Sequence, residues 1–385
     1  MFMEAARMME FHVPGDVLHV HVGYLPIPQS IGEMKSKPVQ YSVRTLNSVG
    51  IQPDFVVCRS EKRVDEKRKQ KIAVASNMDV SYVISNPDLE SIYEVPLVLE
   101  EQEMSKKILK KLGLKTTKAD LSDWKKMVKT IHSVSKPVKI GVIGKYFSTG
   151  DFLLEDSYVC VIEAIKHACW ASGLKPDIRW FDSETIAKQG TDCLQELNGI
   201  IVPQGWGSRG TQGKIQTIQY AREQKVPYLG LCFGMQHAVI EFARNVCGLA
   251  NANSEEVDPN TDHPVIHVMD YQKEILAKKQ FGGTIRLGSY PCKLKAGTLL
   301  SRLYGRKRVV NERHRHRYEF NGAYRELLEK AGLVISGTSP DGSLVEAIEL
   351  PGHPFFLGTQ YHPELKSRPL DPHPVFVGFI KAAAQ

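Results

Sequence analysis

A chain of 385 residues has room for roughly two or three domains of ordinary size, so its core needs no disulfide or metal staple. With 42% hydrophobic, 24% charged and 8% aromatic residues it has the composition of a soluble globular protein, which excludes disordered, collagen-like and coiled-coil classes. Its 50 Lys and Arg against 43 Asp and Glu leave a net charge of +7, which suits anionic ligands such as nucleotides or nucleic acid without choosing between them.

Phe2 to Phe11 carries the apolar spacing of an amphipathic helix with no capping residue before it, as though the chain starts inside a domain. Val17 to Val22 alternates and predicts a strand, and the loop after it holds Gly32-Glu-Met-Lys-Ser-Lys-Pro38. A helix from Val39 to Val49, a buried strand from Asp54 to Cys58, a charged helix from Glu61 to Lys71 and a strand from Tyr82 to Ser85 follow. Strands alternating with helices predict a parallel α/β layer. Glu101 to Leu112 reads as a basic helix closing a first domain, 1–114. The polar stretch 115–137, helical only around Trp124, reads as a linker.

A second α/β unit, 138–385, opens with the strand Val138 to Ile143 and Gly144, then a helix from Tyr158 to Ala171. Further strands are expected at Asp177–Phe181, Gly199–Pro203, Val226–Leu231, Leu333–Gly337, Leu344–Glu349 and Phe355–Tyr361, with helices from Lys214 to Glu223 and just after Cys232. Seven widely spaced cysteines without a C-x-x-C pair give neither a disulfide framework nor a zinc ribbon, which fits a reducing compartment. No run approaches the ~18 apolar residues of a membrane span, and the start has no signal-peptide layout, so the expectation is a cytoplasmic protein.

The sharpest signal is Pro227-Tyr-Leu-Gly-Leu-Cys232-Phe-Gly-Met-Gln-His237, an apolar strand running through Gly-x-Cys-x-Gly into a helix. This is the nucleophile-elbow pattern with Cys in place of Ser. The tight turn needs small neighbours two residues either side, which Gly230 and Gly234 provide. A thiol at a helix N-terminus meets partial positive charge, and the Phe233 N–H is free to act as an oxyanion donor. A buried Cys between packing glycines is the bland alternative, so the elbow needs partners. They stand in Gly358-Thr-Gln-Tyr-His362-Pro-Glu364: in an extended segment His362 and Glu364 share a side, so Glu364 orients one ring nitrogen while the other faces a thiol. Gly199-Ile-Ile-Val-Pro-Gln-Gly205-Trp-Gly207 is a strand entering a glycine-dense loop that can offer N–H groups to an oxyanion. Val310 to Phe320, rich in Arg and His, could be a nucleic-acid patch, but no stacking aromatics or RNA-binding motif accompany it, so no nucleic-acid partner is expected.

Elbow, His-Pro-Glu and glycine loop in this order resemble a class I glutamine amidotransferase. Glu312-Arg-His-Arg-His-Arg-Tyr-Glu319, Gly282-Gly-Thr-Ile-Arg-Leu-Gly288 and Ala250-Asn-Ala-Asn-Ser-Glu-Glu256 narrow the resemblance to the CTP synthase family. It extends upstream through Gly32–Pro38, Gly50–Asp54, Cys58-Arg-Ser60 and Ser91-Ile-Tyr93. The implied fold is a shortened P-loop-type synthetase layer followed by a doubly wound class I glutamine amidotransferase domain. The resemblance makes Cys232 the nucleophile, His362 the general base and acid and Glu364 its orienter, with Gly205 and Phe233 as the oxyanion hole and Gln236, Glu256 and Arg317 binding glutamine. It places Lys35, Gln40 and Lys71 at a UTP or CTP site, Arg59 on ATP phosphates, and Asp88 and Leu89 near adenine. The implied reaction uses ATP and Mg2+ to activate UTP, with GTP as activator, CTP as feedback ligand and a homotetramer as the assembly.

Two departures shape the expectation. No G-x-x-x-x-G-K-[ST] cradle or magnesium-binding acidic set stands near the start, which implies that the chain begins after them, carries no metal site and performs only the glutaminase half-reaction. Gln204 stands where relatives have Gly, and its β-carbon restricts positive φ in the oxyanion loop. A stand-alone glutaminase and a catalytically silent nucleotide-binding or assembly subunit are the alternatives; the upstream strings weigh against the first and the intact triad against the second. A papain-like protease lacks its own local motif here.

Overall fold

The computed structural model describes residues 1–116, 119–145, 148–149, 152–153, 155–269 and 286–385. Part of the string from Gly282 to Gly288, residues 282–285, lies outside these. The chain divides into two compact units, Met1–Lys129 and Thr130–Gln385.

The first unit runs α1 Phe2–His12, β1 Val20–Leu25, α2 Lys37–Ser48, β2 Phe55–Ser60, α3 Glu66–Ala75, β3 Val83–Pro87, α4 Val95–Glu101, α5 Met104–Lys111 and α6 Ser122–Ser133. Its sheet has the order β1-β2-β3 with both pairs parallel, the α/β layer that the alternating pattern predicts. Most boundaries shift by one or two residues from the sequence expectation, and three differ by more. The first strand lies three residues later than Val17–Val22, because parallel pairing opposes Val20 to Phe55 and carries the ladder on to Leu25 opposite Ser60. The helix expected at Glu61–Lys71 begins instead behind Asp65, whose side chain accepts from the Arg68 N–H at 2.9 Å. The basic helix expected at Glu101–Leu112 is broken at Glu103, which adopts φ +55°. There the Gln102 side chain leaves helical packing to accept from the Ser85 N–H and donate to the Ser85 carbonyl, both at 2.8 Å, and so extends the β3 ladder. The stretch read as a linker contains α6, whose Met127 and Val128 are buried and whose Trp124 Nε1 donates to the Tyr93 carbonyl at 2.6 Å.

The second unit continues through β4 Pro137–Gly144, the short pair β5 Ser148–Thr149 and β6 Phe152–Leu153, α7 Val159–Ala171, β7 Lys175–Asp182, α8 Ser183–Gln189, β8 Gly199–Val202, α9 Thr211–Glu223, β9 Tyr228–Leu231 and α10 Phe233–Asn245. It then runs β10 Ala252–Ser254, β11 His263–Val268, β12 Arg286–Leu294, β13 Val309–His316, β14 Tyr318–Phe320, β15 Val334–Thr338, β16 Val345–Glu349, β17 Phe356–Thr359 and a last helix, Pro374–Ala383. Nine strands form one sheet in the order β13-β12-β15-β16-β17-β9-β8-β4-β7. From β17 to β7 every pair is parallel, and from β13 to β17 every pair is antiparallel.

Alternate residues of the central strands feed two cores, as a sheet covered on both faces requires. Ile140, Val142, Ile201, Leu229 and Leu357 pack with α7 and the last helix, while Ile143, Ile200, Val202, Tyr228 and Phe356 pack with α9 and α10. The unit is therefore doubly wound, and ligands of such sheets bind beyond the carboxyl ends of the parallel strands. In β13 the residues alternate outward and inward, so that Val310, Glu312, His314 and His316 are buried in the protein while Val309, Asn311, Arg313 and Arg315 face out. A nucleic-acid stripe on this strand would have half of its members inside the fold.

No helix among the described residues is long and apolar enough to cross a membrane. One tight joint is α10 against β8, where a β-carbon on Gly234 would lie 2.0 Å from the Val202 carbonyl oxygen. Backbone cannot yield there, so Gly234→Ala is expected to cost at least about 2 kcal/mol, read as a lower urea midpoint at unchanged slope.

Candidate active site

Four loops leave the carboxyl ends of β4, β8, β9 and β17 and converge. The β9 to α10 turn puts Cys232 at φ +52° and ψ −99°, a conformation that costs a non-glycine residue about 1–3 kcal/mol and persists only where the surroundings enforce it. Three contacts enforce it. The Cys232 N–H donates to the Thr359 carbonyl at 2.6 Å, the Gln236 N–H donates to the Cys232 carbonyl at 3.1 Å, and the Tyr228 hydroxyl donates to the Gly234 carbonyl at 2.9 Å. Gly230 has no space for a side chain either, since a β-carbon would meet the Gly234 backbone at 2.8 Å. The Phe233 N–H belongs to the first turn of α10, whose N–H groups have no intrahelical acceptor.

His362 follows β17 and its N–H donates to the Arg313 carbonyl of β13 at 2.8 Å. Its Nδ1 lies 2.7 Å from Glu364 Oε1, with both side chains buried. The pairing is not reached through an extended segment, as the sequence implies. Pro363 starts a 3-10 turn, Pro363–Lys366, and Glu364 sits in that turn. Burial opposes the charged imidazolium, but the Glu364 carboxylate and the Cys232 thiol outweigh it and hold the His362 pKa well above the ordinary imidazole range. The result is a cysteine beside a histidine that readily keeps a proton, the arrangement needed to hold a thiolate–imidazolium pair.

Gln236 and Gln360 complete the floor. Gln236 Nε2 donates to the Tyr318 carbonyl at 2.9 Å and to Gln360 Oε1 at 3.2 Å, and Gln360 Nε2 reaches Cys232 Sγ at 3.6 Å. Across from them Glu256 Oε1 accepts from the Gly207 N–H at 2.7 Å, and the Arg317 guanidinium lies 5.2 Å over the Trp206 ring. Burial raises the Glu256 pKa, against the Gly207 N–H, Lys145, Arg317 and Lys214, which all favour the carboxylate. The loop after β8 thus carries a carboxylate at Gly207 and a guanidinium at Trp206, charges of opposite sign on adjacent residues.

The β8 loop is not strained. Neither Gln204 nor Gly205 is among the described residues with positive φ, so the expected conflict between the Gln204 β-carbon and the loop backbone does not arise. Gly205 is needed for a different reason: a β-carbon there would lie 3.2 Å from both Lys214 Nζ and Phe233 Cδ1. Sequence reasoning missed Lys145, Lys214 and Gln360. Lys145 and Gln360 directly follow strand ends, and Lys214 lies in the first turn of α9, so a search of every residue at the carboxyl edge of the sheet would have found them.

In the first unit Lys35, Gln40 and Lys71 line one cavity of about 1140 Å³, together with Arg44, Lys67 and Arg68. Arg59 and Asp88 do not line it; they pair with each other at 2.7 Å, Arg59 near the carboxyl end of β2 and Asp88 just after β3, with the half-buried Leu89 next in the chain.

A family model described as "Glutamine amidotransferase class-I" matches residues 153–382, and one described as "CTP synthase N-terminus" matches residues 1–114. Over 384 residues, 99% of the chain, the sequence is 48% identical to a CTP synthase of Rubrobacter xylanophilus and 51% identical to one of Carboxydothermus hydrogenoformans, covering 68% and 70% of those proteins. The structure is similar to the glutaminase domain of Trypanosoma brucei CTPS with bound acivicin, at a TM-score of 0.59 and 39% identity, over 64% of this chain and 94% of that one.

Burial raises the pKa of the other six thiols, to about 12 for Cys58 and Cys169 and upward for Cys160, Cys193, Cys247 and Cys292. Cys232 should therefore be the thiol labelled fastest by 6-diazo-5-oxonorleucine, as peptide mass mapping would record. Glu364→Gln removes the carboxylate that holds the imidazolium, so the alkaline limb of the labelling profile should move down towards ~6.5, the ordinary histidine value. Gln204→Gly should leave turnover within about threefold, because an unstrained loop gains nothing from glycine; a tenfold loss, about 1.4 kcal/mol, would mean that the Gln204 side chain makes a needed contact.

Proposed function

This chain belongs to the CTP synthase family, and from that premise we propose that it is a glutamine-hydrolysing ligase whose product is CTP, formed from UTP with ATP and the ammonia released at Cys232. The observation that carries the reading is the strained Cys232 beside the buried His362–Glu364 pair. Glutamine binds with its ammonium towards Glu256 and its carboxylate on Arg317, which leaves the side-chain amide over the sulfur. Cys232 Sγ attacks the amide carbon, His362 takes the thiol proton and returns it to the departing ammonia, and a thioester remains. Water, deprotonated by His362, attacks the thioester to release glutamate and restore the thiol. The N–H groups of Gly205 and Phe233 hold the oxyanion in both steps. Gln236 acts on the sulfur side of the site through Gln360.

In the first unit the cavity lined by Lys35, Gln40 and Lys71 supports a site for the UTP or CTP triphosphate, because cations dominate its lining. Arg59, Asp88 and Leu89 form a separate ATP-facing group. Among the described residues no cluster of three or more His, Cys, Asp or Glu could hold the Mg2+ that the family reaction uses, and no step above runs through a metal. The expectation that the activity stops at the glutaminase half-reaction is withdrawn: the match of residues 1–114 to the N-terminal family model and the similarity along 99% of the chain give it no support. GTP as activator, a homotetramer and a cytoplasmic setting are parts of the same proposal.

The test separates the two reactions in the whole protein. Cys232→Ala should lose CTP formation from glutamine by at least about 10³-fold and keep it from free ammonia; loss of both, with the protein folded, would overturn the division of labour. Lys71→Ala should raise the KM for UTP roughly tenfold without changing glutamine hydrolysis, since one charge-assisted contact to a phosphate is worth about 1.5 kcal/mol.

A further inference from the structure

Lys214 is wholly buried in the first turn of α9, and its Nζ has no hydrogen-bond acceptor among the described residues. An isolated buried cation destabilises a fold, so its presence calls for a role. Packing gives none that an apolar side chain of the same length would not give. Lys145, the neighbouring lysine, differs in this respect: its Nζ donates to the Trp206 carbonyl and, at 3.4 Å, to the Gly207 carbonyl, and so ties down the β8 loop. Lys214 Nζ instead lies 4.7 Å from the centre of the Phe233 ring and would be 3.2 Å from a β-carbon on Gly205, against the two residues that the proposed reading assigns to the oxyanion hole.

Resting on the glutaminase reading above, we propose that Lys214 is a positioning residue for glutamine hydrolysis, whose ammonium, sealed behind the Gly205 loop and against Phe233, favours the Cys232 thiolate and the oxyanion. The groups that face it are Lys145 beyond β4, Cys232 at the elbow, His237 in α10 and Glu256 beyond β10. Burial pushes the Lys214 pKa down to about 7 and Lys145 adds to this, while the Cys232 and Glu256 charges pull the other way. His237 is kept neutral, pushed down to about 3 by burial and by Lys214. Negative charge arising on sulfur or on the substrate oxygen therefore draws a proton onto Lys214, and that charge sits in a medium that screens it weakly.

The experiment compares the whole protein with Lys214→Met and Lys214→Arg by three measurements: glutaminase kcat and KM, the pH profile of Cys232 labelling from pH 6 to 9, and thermal unfolding. Lys214→Met should lower kcat about tenfold with less than about a twofold change in KM, and should remove an inflection near pH 7 from the labelling profile. Its melting temperature should not fall. The folded pKa lies below the unfolded value of ~10.4, so the lysine's cost is full below about 7 and fades as pH rises to the unfolded value, and the gain from Met should fade likewise. Lys214→Arg, charged at every pH, should bring kcat to within about threefold of the parent, again without the inflection. An unchanged kcat and labelling profile in Lys214→Met would overturn the proposal, and so would a loss of kcat that merely follows a loss of folded protein. If the parent protein hydrolyses no glutamine, the functional reading fails, and the labelling profile still decides whether Lys214 and Cys232 titrate together.

Discussion

The site depends on one backbone conformation, the φ of +52° at Cys232. A residue with a β-carbon holds that geometry only under pressure from its neighbours, and here the pressure is sheet register. β17 pairs with β9 so that Gly358 opposes Gly230 and Thr359 opposes Leu231. The Thr359 carbonyl then lies where it accepts from the Cys232 N–H. The same register delivers His362 three residues farther along the chain that leaves β17, so one strand pair fixes both nucleophile and base. Two glycines let α10 approach β8 closely enough for the turn to close.

Electrostatics then divides the site into two regions. Around His362 the surrounding charges favour the protonated ring, and the Glu364 pairing fixes which nitrogen faces the sulfur. Beside the loop after β8 two lysines, Lys145 and Lys214, flank the Phe233 ring; the Glu256 carboxylate opposes both, and Lys145 also feels the charges of Arg209 and Glu184. Charges fixed in place before a substrate arrives are how preorganised sites lower a barrier. The stability lost to a strained cysteine and an unpaired lysine is recovered in the doubly wound core, where aliphatic and aromatic side chains fill both faces of the parallel strands.

The first unit uses charge in a simpler way. Its cavity gathers side chains from α2, α3 and the loop before α2, where helices present cations toward open space rather than into the core. Two of these cations are already paired with acids of the same region, Lys35 with Glu33 and Arg68 with Glu33 and Asp65. The second unit, by contrast, reacts through groups held in one geometry.

The sequence by itself pointed to the alternating α/β pattern of the first unit, to the central strands and helices of the second, and to Cys232, His362 and Glu364 as candidates for the chemistry, because hydrophobic period and a glycine-spaced turn are local properties; it showed no strand between Ala252 and Phe320 and no helix at Pro374–Ala383. The family resemblance added Glu256 and Arg317, which the fold brings to the adjacent residues Gly207 and Trp206 although no local pattern links them. Boundaries moved wherever a cap or a side-chain hydrogen bond competed with periodicity, as Asp65 does for α3 and Gln102 for the break before α5. The 3-10 turn at Pro363, the unstrained Gln204 and the buried Lys145 and Lys214 were decided by the tertiary structure alone. A lysine's role depends on what surrounds its nitrogen, and those neighbours come from loops after β4, β8, β9 and β10 that are adjacent only once the sheet has formed.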